Sequence, residues 1–258
     1  MKEIILAIIF FMNGMALASQ RIKVGSHWGA HIPNQPLGPN DCLADKIDDP
    51  LLHPEGFRYL IDNTVLSILS AFSFGADAVS INPRSTKDEN VVLFHDNSLD
   101  YRTNGSGKIS DHTLQEVQAL NAGWNFTPDG GTTYPWRRVS VIRAGYTWIP
   151  TIEEVFNLTT GKSYWIVLRP GSRNELAVII SHLKKYPQIV DNSLFYFSPG
   201  KTWIKDILKS DLPNARIPRL DDGAMNECLK TYEEERSVNF STLTLEGCAL
   251  PETSTVRI

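Results

Sequence analysis

The stretch from Asp77 to Asp96, DAVSINPRSTKDENVVLFHD, constrains the fold more than any other part of the chain. Two short apolar runs are joined by a polar, charged turn. The first, Ala76 to Asn82, alternates apolar and polar residues, as a strand with one face in a core does. The second, Val91 to Phe94, is continuously apolar and reads as a buried strand. Each run ends in polar side chains: Ser80 and Asn82 on the first, His95 and Asp96 on the second. Polar groups gathered at strand C-termini are how parallel α/β barrels build their sites.

The same alternation of strand and helix runs along the chain. Further strands are predicted at 22–26, 164–168, 194–197, 215–220 and 238–245. Helices are predicted at 63–74, 110–123, 150–158, 175–186, 201–209 and 225–236. Asp62 or Asn63 can cap the first helix, and Ser110, Thr113 and Glu116 supply capping chemistry for the second. Glu153 and Glu154 suit the first turn of the third. Strands alternating with helices argue for a parallel sheet with right-handed crossovers. The count of about seven strands is one short of a closed eight-stranded barrel. Either the barrel is open, or its C-terminal part is truncated or diverged.

Composition narrows the function classes. With 42% hydrophobic and 21% charged residues the chain reads as globular, and a net charge of −4 gives no electrostatic reason to expect a nucleic-acid partner. Residues 1–18 stand apart: Lys2, an apolar run from Ile4 to Phe11, and Ala16-Leu17-Ala18 make a secretory signal pattern. An uncleaved anchor is the alternative, though the run is short for a span of about 20 residues. The expectation is a secreted or periplasmic protein with no membrane span after cleavage, starting near Ser19. Cys42, Cys228 and Cys248 show no zinc spacing; a Cys228–Cys248 disulfide and three unpaired thiols both remain open.

Several motifs occur in a telling order: His27-Trp28-Gly29, Asp62-Asn63-Thr64, Gly75-Ala76-Asp77, Ser80-Ile81-Asn82 and His95-Asp96. Leu99 to Ile109, LDYRTNGSGKI, and Ile149-Pro150-Thr151-Ile152-Glu153-Glu154 follow. Over residues 22–170 this order resembles the glycerophosphodiester phosphodiesterases. The resemblance implies a TIM-type (β/α)8 barrel of the phospholipase-C-like phosphodiesterase kind. It implies hydrolysis of glycerophosphodiesters or lipid head groups, with His27 and His95 as acid and base. A divalent cation, Mg²⁺ or Ca²⁺, is also implied, held by carboxylates.

The cation positions depart from the family pattern. Asp62 stands where the family has Glu, Ser80 and Asn82 stand for Glu and Asp, and Val167-Leu168-Arg169 replaces a Glu-x-Lys. One carboxylate with two neutral oxygens binds hard cations weakly. Trp28 replaces a phosphate-binding Arg, while Arg84 and Arg169 could grip phosphate instead or make surface salt bridges. Two insertions, 30–61 with His31 and His53, and 124–148 with Trp124, Tyr134, Trp136, Tyr146 and Trp148, are expected as loops over the site. Those aromatic residues either line a groove or cover the barrel edge. The function expected is phosphodiester hydrolysis. The alternative is a catalytically silent protein that binds a phosphodiester, a lipid head group or a protein partner.

Overall fold

The computed structural model describes residues 23–26, 60–73, 75–127, 131–141, 145–198, 201–217 and 254–256, with 23–26 and 254–256 described by backbone alone. The signal segment, His27, Trp28, His31, His53, the three cysteines, the helix predicted at 225–236 and the strand predicted at 238–245 lie outside these residues.

Helix α1 (Val65–Ser73) follows from Val65, Ile68, Ala71 and Phe72, which recur at helical spacing and are all buried. Its cap is neither Asp62 nor Asn63 but Thr64, whose Oγ1 accepts from Ser67 N at 3.4 Å and donates to Ile61 O at 2.7 Å. Gly75 ends the helix. Ala76 N donates to Ala71 O and Gly75 N to Phe72 O, each at 3.1 Å, and Gly75 takes φ +90°. That left-handed position favours glycine.

Strand β2 (Ala78–Ile81) comes next and pairs in parallel with β1 (Lys23–Ser26) and with β5 (Ser163–Leu168). Strand β6 (Leu194–Phe197) pairs in parallel with β5, and β7 (Ser254–Val256) with β1, giving the order β6-β5-β2-β1-β7. One face of this sheet carries Val79, Ile81, Tyr164, Ile166, Leu168 and Phe195, packed in one cluster with α1, α4 (Arg173–Leu183) and α6 (Thr202–Asp211). Because side chains alternate along a strand, Ser80, Trp165, Val167 and Tyr196 turn to the other face. Only the beginning of the strand predicted at 215–220 is described. Arg216 forms a single parallel bridge to Leu194.

The sequence places Val91–Phe94 in the parallel sheet; the chain instead folds it back. Strand β4 (Val91–Leu93) runs antiparallel to β3 (Pro83–Ser85), with Arg84 opposite Val92. The short polar link between them is enough for a hairpin but too short for a parallel crossover. This hairpin carries a second core of Ile61, Val92, Phe94, Leu99, Ile109, Phe126 and neighbours over one end of the sheet.

The helix predicted at 110–123 splits into a 3-10 turn (Ile109–Asp111) and α2 (Leu114–Gln118). Thr113 and Glu116 form the capping box that starts α2, and Thr151 with Glu154 does the same for α3 (Ile152–Leu158). A short helix, α5 (Pro187–Asn192), follows α4 with Pro at its first turn. The described parts of 124–148 are irregular. There Trp136 stacks on Tyr146 with centroids 4.8 Å apart and packs against the second core.

Candidate active site at the end of the sheet

The peptide after Ile61 rises into a tight turn at Asn63, whose φ of +58° is left-handed, a conformation asparagine tolerates better than most residues. Asn63 is 1% exposed and pegs this turn to the end of β2. Its Oδ1 accepts from Asn82 N at 3.0 Å, and its Nδ2 donates to Asn82 Oδ1 at 3.3 Å and to Asp62 Oδ2 at 3.2 Å. Asp62 and Asn82, 20 residues apart in the chain, are thereby held on the same Asn63 side chain.

A chain of charge-assisted bonds then crosses the site. Arg102 Nη1 donates to Asp62 Oδ1 at 2.9 Å, and Arg102 Nε donates to Asp96 Oδ2 at 2.8 Å. Asp96 Oδ1 lies 2.6 Å from His95 Nδ1, and Arg169 Nη1 lies 2.9 Å from His95 Nε2. A guanidinium only donates, so Nε2 accepts from Arg169 and the ring proton sits on Nδ1, given to Asp96. Arg102 Nη2 approaches Nδ1 at 3.5 Å, too far to compete with that carboxylate.

Burial opposes the charge on Asp96, but the His95 hydrogen bond and the Arg102 charge outweigh it and hold the carboxyl at about 2. Asp96 therefore stays ionised across the physiological range and fixes the imidazole.

Arg84 closes the frame from below. Its Nη1 donates to Arg169 O at 2.6 Å and its Nη2 to His95 O at 2.8 Å. At 5% exposure it is no surface salt bridge. Burial lowers its pKa, the Glu175 charge raises it and Arg169 lowers it again. Glu175 is fixed by Gly171 N at 2.6 Å, and Lys201 Nζ donates to Pro170 O at 2.7 Å, which adds another cation beside the end of β5.

The fold thus links His95, Asp62, Asn82, Arg84 and Arg169 in one network. Ser80 sits two residues before Asn82 on the same face of β2, 1% exposed. His27 and Trp28 lie outside the described residues. Three residues that the sequence analysis gave no catalytic, metal or phosphate role join the network: Asn63, Asp96 and Arg102. Asp96 stands in the His-Asp motif itself. For Arg102 the only signal was its place in the LDYRTNG segment, since its bond to Asp62 spans 40 residues.

A hard divalent cation wants several oxygen ligands, charged ones above all. Among the described residues no three His, Cys, Asp or Glu side chains group to hold a metal. Asp62 is engaged by Arg102, Asn82 Oδ1 accepts from Asn63, Ser80 is neutral, and three guanidinium groups stand nearby. This donor set does not fit Mg²⁺ or Ca²⁺.

Comparison with known proteins places the chain. Residues 53–238 match the model of the glycerophosphoryl diester phosphodiesterase family. The chain belongs to that family. An uncharacterized protein of Mycobacterium tuberculosis is 38% identical over 130 residues, which is 48% of this chain and 41% of the relative. A glycerophosphodiester phosphodiesterase of Caldanaerobacter subterraneus is 29% identical over 69% of this chain and 66% of its own length. The chain therefore spans between two fifths and two thirds of these relatives. Among solved structures, the phosphodiesterase domain of the Mycobacterium tuberculosis protein superposes with a TM-score of 0.56 at 20% identity, over 84% of this chain and 65% of that one. An Oleispira antarctica phosphodiesterase in complex with the product sn-glycerol-3-phosphate gives 0.51 at 20% identity, over 82% and 72%. These likenesses establish the fold as the TIM-type α/β barrel of the family. The parallel sheet with helices packed on one face is its described part.

Proposed function

We propose that the chain hydrolyses phosphodiesters of the glycerophosphodiester or lipid-head-group class, with His95 as a proton-transfer group and arginines as the fixed positive charge. The observation that carries this is the His95 ring itself: Nδ1 is clamped on Asp96 at 2.6 Å, and Nε2 is turned to Arg169 at 2.9 Å. An imidazole oriented by a carboxylate is the usual form of a working acid or base. Arg169 is exposed, so an incoming phosphate can compete for its guanidinium. Once Arg169 turns to phosphate, His95 Nε2 is released to take a proton from the attacking water. The new P–O bond forms as the ester P–O bond breaks, and the leaving alkoxide takes a proton from a second group. His27 is our candidate for that group. With glycerophosphocholine the products are sn-glycerol-3-phosphate, the product in the Oleispira complex, and choline.

The rival is a protein that binds the diester without cleaving it. Arg169 lying on the Nε2 lone pair favours it, as do Ser80, Asn82, Leu168 and Trp28 at positions where the family carries other residues. Hydrolysis of glycerophosphocholine by the full chain separates the two. The expected outcome is turnover that falls by about 10²–10⁴ in His95→Ala and substantially in Asp96→Asn. Folded wild-type protein with no turnover, with or without added divalent cation, would leave only the rival. Export through residues 1–18 is part of the same proposal; the mass of the mature N-terminus, expected near Ser19, checks it.

A further inference from the structure

Three polar atoms on consecutive alternate residues of the β2–β3 segment have no hydrogen-bond partner among the described residues: Ser80 Oγ, Asn82 Nδ2 and Arg84 Nε. Their residues are 1%, 1% and 5% exposed. A buried polar group left unsatisfied is destabilising, so three in a row point to something that satisfies them.

The network fixes which atom Asn82 offers. The peptide N–H of Asn82 must donate, so the Asn63 atom that meets it at 3.0 Å is Oδ1. Asn63 Nδ2 is therefore the atom facing Asn82 at 3.3 Å, and the Asn82 atom it meets must accept, so it is Oδ1. Asn63 Nδ2 also meets a carboxylate oxygen of Asp62, which agrees. Flipping either amide would set donor against donor. What remains of Asn82 is an NH₂, a donor. Arg84 Nε can only donate, and the Ser80 hydroxyl can do so. The strand that carries cation ligands elsewhere in the family thus presents a row of donors, with Arg169 at its rim.

We infer that the polarity of this subsite is inverted: Ser80 Oγ, Asn82 Nδ2 and Arg84 Nε receive non-bridging phosphate oxygens directly, and phosphate binding needs no divalent cation. The inference rests on the proposed function only for the class of anion, a glycerol phosphate or its diester.

The test is calorimetric titration of the full-length protein with sn-glycerol-3-phosphate, in EDTA and again with Mg²⁺ or Ca²⁺. The ligand is a reaction product, so binding is read without turnover. Binding is expected in EDTA, with affinity changed less than about twofold by either cation. Asn82→Asp should weaken it by about tenfold or more, because a donor becomes a negatively charged acceptor. The new carboxylate still accepts from Asn63 Nδ2 but is buried beside Asp62, so each titration is run well below the melting temperature measured for that variant. Ser80→Ala, which cannot disturb the Asn63 peg, should weaken binding by about fivefold. Binding seen only with the cation, affinity indifferent to both substitutions, or no binding under either condition overturns the inference. Metal-dependent binding by an active enzyme would sink this inference and leave the hydrolase standing; metal-free binding by an inactive protein would do the reverse.

Discussion

Asn63 joins the loop to the sheet, and its replacement separates two effects that the structure superimposes. Removing the side chain leaves Asn82 N–H, buried at the end of β2, without the acceptor at 3.0 Å. An orphaned buried donor costs about 1–3 kcal/mol. The φ of +58° adds a second cost for any residue with a Cβ and no local hydrogen bond, about 1–2 kcal/mol. Asn63→Ala should therefore lose about 2–5 kcal/mol, and Asn63→Gly, which adopts that φ freely, only the first part. Asn63→Asp keeps an acceptor for Asn82 N–H but sets a carboxylate against Asp62, and should fall between them at neutral pH. Urea and thermal unfolding at constant buffer measure all three. For a chain of this size each kcal/mol moves the midpoint by about 2–4 °C, so alanine should drop by about 10 °C. Glycine proving as damaging as alanine would refute the backbone argument. All three melting with the wild type would refute the peg itself.

Other perturbations have calculable signs. Asp96 is held at about 2 against an ordinary 3.8, so its folded-state pKa is depressed. Its contribution is full above about pH 4 and is lost as pH falls towards 2, amounting to roughly 2 kcal/mol before discounting for its partial solvent contact. Asp96→Asn should flatten that part of the acid limb of the stability curve. Gly75→Ala should cost about 1 kcal/mol through its φ of +90° alone, since a Cβ there meets nothing within 4 Å, and denaturant midpoints will show it. At Gly123 the added Cβ would lie 2.9 Å from Trp136 Cβ and 2.5 Å from Ile61 Cδ1. Gly123→Ala should cost about 1–3 kcal/mol and shift tryptophan emission as the aromatic loop moves.

The sequence was most informative where a single physical rule dominates. Helix α1, strands β2, β5 and β6, and the Thr113–Glu116 cap follow from period and capping chemistry, and the motif order singled out His95, Asp62 and Asn82 as candidates. The sense of Val91–Phe94 was not legible, because an apolar run says that a segment is buried but not which way it runs. Asp62 read both as a helix cap, because aspartate caps helices, and, on the motif, as a cation ligand. Its engagement by Arg102 depends on a loop returning from 40 residues away, which no local pattern records. The polarity of Asn82 was hidden for the same reason: an asparagine offers an acceptor or a donor, and only the Asn63 contacts decide which. Helix α5 escaped because six residues behind a proline give too short a period to read.

The most direct test of the whole account is a crystal structure of the full chain with sn-glycerol-3-phosphate, grown with a divalent cation present. Phosphate oxygens are expected on Asn82 Nδ2 and Ser80 Oγ, with Arg169 swung from His95 Nε2 onto the phosphate. A cation bridging Asp62 and Asn82 to the phosphate, with Arg102 displaced from Asp62, would contradict it.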